Sequence, residues 1–150
     1  MTQMELKEQM KEAMKAHDEV RLLVVRGLMS ACTNELVSKG HKPTDELSPE
    51  DVMTVIARAV KQRKDSIDQF RKGNREDLAV KEEAELLILE AFMPPQMSEN
   101  EVEAAVKAKM AEMGVTDKSK QGMFMGAVMK DLKGKADGNV VKAVIERLLV

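Results

Sequence analysis

From Leu22 through Val25, Met29 and Cys32 to Leu36, and again from Val52 through Ile56, Val60 and Ile67 to Phe70, apolar residues return every three or four positions. That spacing places them along one side of an α-helix and of no strand. Helix starts and stops punctuate the chain. Thr2 with Glu5 and Ser98 with Glu101 have the capping-box spacing. Asp18, Ser48–Pro49, Asn74, Ser119 and Asp137 offer further starts, and Gly40, Gly73, Gly114 and Gly134 offer stops. The chain has three Phe, no Trp or Tyr and thirteen Met, so any core is aliphatic. The fold class expected is all-α, in two helical subdomains. Pro94–Pro95 ends the fourth helix and marks the boundary, giving an N-terminal helical bundle over 1–94 and a small three-helix unit over 95–150.

Net charge is −2, which by itself excludes a polyanion-binding chain of the strongly basic kind. The distribution differs from the sum. Residues 58–75 carry seven basic and two acidic groups, 76–112 ten acidic and three basic, and 113–150 seven basic and four acidic. The richest stretch is GMFMGAVMKDLKGKADGNVV over 122–141. It reads as a helix, a glycine elbow and a second helix capped by Asp137, with Lys130, Lys133 and Lys135 at the elbow. Gly126 leaves its turn without a side chain, so something can approach the backbone there. Cations at a helix end are an ordinary feature; the sharper reading is a phosphate-contacting corner, extended by Lys118 and Lys120 at the preceding helix start. A second basic face is predicted on Lys61, Lys64, Arg71 and Arg75, with Lys72 beside it. With so few aromatics there is no stacking platform for unpaired bases, so any RNA contact goes to phosphate, sugar and shape.

Chemistry of other kinds has little material. His17 and His41 lack a ligand spacing with Cys32, so no metal is expected. No phosphate loop, dinucleotide fingerprint or nucleophile elbow occurs, and no cofactor or catalytic residue is assigned. Cys32 lies in a core row without a histidine placed to activate it. Glu82 and Glu85 share a helical face and read as ion-pair partners for Arg63, a guanidinium on the apolar row of the third helix. There is no apolar run long enough to span a bilayer and no leader pattern, and the single cysteine fits a reducing compartment; a cytoplasmic protein is the expectation.

Four segments, VVRGLMSACTNE (24–35), KQRKDSIDQFRKGNREDLA (61–79), EAELLILEAFMPPQMSENE (83–101) and MGAVMKDLKGKADGNVV (125–141), resemble the GatB/YqeY family in that order. The last also resembles the tail of the B subunit of glutamyl-tRNA(Gln)/aspartyl-tRNA(Asn) amidotransferase. Gly126, Met129, Gly134, Lys135, Ala136 and Asp137 match the tail motif, with Lys130, Lys133 and Gly138 beside them; Arg26, Arg63, Asp65, Arg75 and Asp77 match the N-terminal motifs. Phe92 stands where the family has tyrosine. The resemblance implies two helical subdomains and a non-catalytic, tRNA-binding accessory role. The family's carbon–nitrogen ligase label, with glutamine as amide donor, is inherited from the full enzyme. The alternative is an adaptor that docks on an aminoacyl-tRNA synthetase or an amidotransferase subunit.

Overall fold

A computed structural model describes residues 1–149. Seven α-helices account for its regular structure, with no strand among the described residues: α1 (Gln3–Lys15), α2 (Glu19–Ser38), α3 (Pro49–Lys72), α4 (Glu76–Ala91), α5 (Glu99–Met113), α6 (Gln121–Leu132) and α7 (Gly138–Leu148). The chain divides into two compact units, Met1–Met93 and Pro94–Val150.

Local chemistry explains most helix boundaries. At α1 the Thr2 hydroxyl accepts from the Glu5 amide (3.1 Å) while the Glu5 carboxylate accepts from the Thr2 amide (2.6 Å). At α5 the same reciprocal pair joins Ser98 and Glu101, and Gly114 ends that helix at φ +65°. Asp18 and Ser48 accept from the third amides of α2 and α3. Two expected caps are not formed. Asn74 does not cap α4; it turns to φ +57°, so that the Arg75 amide closes α3 on the Phe70 carbonyl, and α4 starts at Arg75 without a side-chain cap. Asn tolerates this left-handed conformation better than other non-glycine residues. Ser119 does not cap α6 either. It sits inside a 3₁₀ turn, Lys118–Lys120, where the Asp117 carboxylate accepts from its amide (2.8 Å) and its hydroxyl (2.5 Å).

In the first unit α1 packs on α2 and α3 lies antiparallel to α4, around Leu6, Val25, Cys32, Leu36, Val52, Ile56 and Leu89. Burial pushes the Cys32 thiol up to about 11, with Glu35 adding to the shift, so it is an inert core residue. Arg63, expected on a buried seam, reaches the rim with its side chain 35% exposed, and lies 2.9 Å from Glu82 and 2.5 Å from Glu85. In the second unit α5, α6 and α7 enclose Phe124, Val102, Val106, Val128, Val141 and Ile145. Partly buried methionines pack around both cores, filling edges and not centres.

Candidate nucleic-acid interface

The corner between α6 and α7 is built from both directions. After Leu132 the chain turns through Gly134 at φ +75°, a conformation that favours glycine. The Leu132 carbonyl accepts from the Lys135 and Ala136 amides at 2.9 and 3.2 Å. From 94–97, the Met97 amide donates to the Lys135 carbonyl (2.8 Å), and the Gln96 side-chain amide donates to the Gly134 and Pro94 carbonyls (3.2 and 2.9 Å). Asp137 then caps α7 through the Asn139 amide at 2.8 Å. Lys133 and Lys135 are therefore carried on a backbone held at three carbonyls.

Lys130, Lys133 and Lys135 are exposed, and none forms an ion pair among the described residues. The nearest acid in sequence, Asp131, turns to Lys109 of α5 at 2.9 Å. Its carboxyl is held below the ordinary range first by that hydrogen bond, and further by the charges of Lys130 and Lys135. Lys118 and Lys120 are also exposed, without an ion pair among the described residues. They stand at the opposite end of α6, whose twelve residues span roughly 18 Å. The lysines thus form two groups at the ends of one helix and not a single cluster.

Between those groups, Gly122, Gly126 and Lys130 repeat every fourth residue on the exposed side of α6. Apart from the adjoining residues and the backbone of α6 itself, no described atom lies within 4 Å of where a Cβ would stand on Gly122 or Gly126, so no other element of the described chain makes the expected close approach at Gly126. A helix-interior glycine costs about 0.5–1 kcal/mol relative to alanine. Gly126→Ala is expected to stabilise the chain by that amount, raising its melting temperature by a few degrees in a calorimetric scan; an unchanged or lower value would count against this account.

The predicted basic face on α3 is largely neutralised. Lys64 pairs with Glu90 at 3.3 Å, Arg71 with Glu76 and Glu83 at 3.2 and 2.5 Å, and Arg75 with Asp77 at 3.1 Å. Hydrogen bonds to Glu76 and then Glu83 hold the Arg71 guanidinium above its ordinary range. Lys61 is exposed and has no ion pair among the described residues. A cavity of about 500 Å³ opens between α2 and α3, with Gln62, Arg63, Asp65 and Ser66 along its polar side. Arg63 is tied to two carboxylates of α4, so it is not presented to a substrate as an open cation.

Sequence reasoning missed Gln96, whose bond to Gly134 spans 38 residues, and Arg147, which joins α7 to Glu99 and Glu103 of α5 at 2.8 and 2.7 Å. No local spacing signals either contact.

The fold and site define an all-helical protein with a lysine-bearing corner between its last two helices. The chain belongs to the Yqey-like protein family, whose model matches residues 3–149. It is similar to the altered inheritance of mitochondria protein 41, mitochondrial, of several yeasts. Identity is 36% with that of Lachancea thermotolerans, over 77% of this chain and 62% of the relative. It is 31% with that of Vanderwaltozyma polyspora (91% and 69%), and 36% with that of Kluyveromyces lactis (88% and 67%). The chain thus spans roughly two thirds of the length of these curated relatives. Their mitochondrial names overturn the expectation of a cytoplasmic protein; composition and a lone cysteine do not separate one reducing compartment from another.

Proposed function

We propose that this chain is a non-catalytic, tRNA-binding accessory module that holds the ribose-phosphate backbone along α6. The observation that carries the reading is the contrast in ion pairing. Lys118, Lys120, Lys130, Lys133 and Lys135 form no ion pair among the described residues, Asp131 and Asp117 acting on Lys130, Lys135 and Lys120 only at longer range, while Lys64, Arg71 and Arg75 are paired with glutamate or aspartate. An unpaired lysine has no internal partner to give up when it meets a phosphate. The two lysine groups lie far enough apart to meet separate phosphates, and the glycine face between them leaves the helix backbone open to a sugar-phosphate strand. The resemblance of 125–141 to the amidotransferase tail makes tRNA the RNA of choice, and the scarcity of aromatic residues directs contact to duplex backbone and shape.

Counterion release sets the test. With three to five phosphate contacts, log affinity should fall by about 0.9 per contact for each decade of salt, so raising salt from 50 to 200 mM should weaken binding roughly 40- to 500-fold. Fluorescence titration of labelled tRNA with the full chain measures this. The Lys130→Ala, Lys133→Ala, Lys135→Ala triple variant should lose at least tenfold in affinity and about 2–3 from the salt slope. Equal binding by that variant, or no binding at low salt, overturns the proposal.

A further inference from the structure

Gly27 stands in the middle of α2, where glycine weakens a helix relative to alanine. Apart from the adjoining residues and the backbone of α2 itself, no described atom lies within 4 Å of where its Cβ would stand. That space belongs to the cavity of about 500 Å³ between α2 and α3. On α2 the cavity is lined by Val24, Gly27, Leu28 and Ala31. On α3 it is lined by Ala59, Gln62, Arg63 and Ser66, with Asp65 beside them. Each set has the spacing of one helical face over two turns, so two faces stand opposite each other with a gap between them. Val24, Leu28 and, from α4, Leu89 are buried and form the apolar floor. We propose that this cleft binds a small amphipathic organic cation, an amine carried on an apolar body.

The cleft has an apolar end and a polar end. Glu35 of α2 pairs with Arg58 of α3 at 2.9 Å, and Lys39 pairs with Asp51 at 2.6 Å, so the two helices run antiparallel. In that register Ala31 lies beside Ala59, and Gly27 comes level with Asp65 and Ser66. The side chain that Gly27 lacks therefore leaves open the approach to the polar end. Gln62, Asp65 and Ser66 form no side-chain hydrogen bond or ion pair among the described residues. Arg63, in contrast, is taken up by Glu82 and Glu85. Arg26, Lys61 and Lys64 do not line the cavity, and Lys64 turns away to Glu90. Among the described residues, Asp65 is thus the one charged group lining the cleft without a counter-ion.

These features select the ligand. The volume lies within the range of small-molecule sites. A docked helix, about 10–12 Å across with its side chains, is too bulky for a two-turn cleft. The apolar body lies on Val24, Leu28 and Leu89 and points toward Ala31 and Ala59. The ammonium group donates to the Asp65 carboxylate, with the Ser66 hydroxyl and the Gln62 amide oxygen as further acceptors. An anionic ligand would meet Asp65 with no open cation in reach, because Arg63 is already engaged. A wholly polar cation would gain nothing from the floor. All of these residues belong to the first unit, so the site stands apart from the lysine corner and goes beyond the tRNA-binding reading.

The test is a titration of the full chain with phenylbutylamine, protonated at about pH 7 as a lysine amine is, followed at the backbone amides by NMR. The amides of Gly27, Ala31, Ala59 and Ser66 should shift saturably, with a Kd of about 5 mM or tighter for a ligand of this size. Phenylbutanol, the same shape without the charge, should bind about fivefold more weakly, and phenylbutyrate more weakly still. Asp65 is exposed, so Asp65→Asn leaves the fold intact; it should lower the affinity for the amine to that for the alcohol. Gly27→Leu should abolish binding of the amine while leaving the melting temperature unchanged or raising it, because leucine fills open space at a helical position. No saturable shift with the amine up to about 20 mM would overturn the proposal. So would an alcohol that binds as tightly as the amine, an Asp65→Asn variant with undiminished affinity, or a Gly27→Leu variant that still binds.

Discussion

Phe124→Ala is expected to unfold the second unit while leaving the first intact. Phe124 is fully buried, is the largest side chain in its core, and packs among valines and isoleucine from α5, α6 and α7. Truncating a buried phenylalanine costs about 3–5 kcal/mol, the lost transfer energy plus the cavity left behind. At roughly 0.05–0.15 kcal/mol per residue, a unit of this length has only about 3–8 kcal/mol to lose. Hydrogen exchange on the full chain gives the check. Amides of α5, α6 and α7 should lose protection, and those of α1 to α4 should keep it, because Phe124 belongs to no contact of the first core. Phe124→Leu keeps most of the apolar volume and should cost only about 1 kcal/mol. If the alanine variant exchanges like the parent, the second core is not organised around this ring. On the proposed tRNA-binding function, the same variant should also bind tRNA more weakly, since Lys133 and Lys135 depend on a corner held to Gln96 and Met97.

What could be read from residues, and what could not, divides along the range of the interactions. Thr2 with Glu5, Ser98 with Glu101 and Asp137 with Asn139 act within three positions, and those helix starts were legible. Asn74 was not, because asparagine serves equally as a cap and as a left-handed helix stop, and the closure of α3 through Arg75 and Phe70 decided it. The phase of α4 was ambiguous for a different reason. Apolar residues surround this helix, so periodicity alone could not choose between the Leu89 side and the Leu87 side. Packing against α3 chose. Charge was the least legible. Lys64, Arg71 and Arg75 look as free in the sequence as Lys130, Lys133 and Lys135. Glu90 and Glu83 reach the first two only once α3 and α4 lie side by side. A net charge of −2 conceals a pairing pattern that leaves the corner lysines without an ion pair among the described residues.

Arg63→Met should destabilise the first unit by about 2–3 kcal/mol. Arg63 links α3 to α4 through two carboxylates at 2.9 and 2.5 Å, and those glutamates are only 18% and 14% exposed. The Oε2 atom of Glu85 is buried and takes no well-angled hydrogen bond, so the adjacent guanidinium charge is its compensation. Methionine preserves the length and apolar stem of the side chain and removes only the charge and its donors. Two like charges three positions apart on α4 would then face the core rim without a cation. Removing one side of a fully buried ion pair costs about 3–5 kcal/mol. The 35% exposure of Arg63 lets solvent screen part of that, which lowers the expectation to about 2–3 kcal/mol. Urea denaturation of the parent and variant measures the difference. Two further results follow from the mechanism. Glu82→Gln added to Arg63→Met should restore part of the deficit, because it removes one of the two uncompensated charges. Adding Glu82→Gln and Glu85→Leu to the variant should recover most of the lost stability, since an apolar contact of similar size replaces a buried ion pair at little cost. A deficit that persists unchanged in the double and triple variants would mean that the guanidinium stem, and not its charge, is what joins α3 to α4.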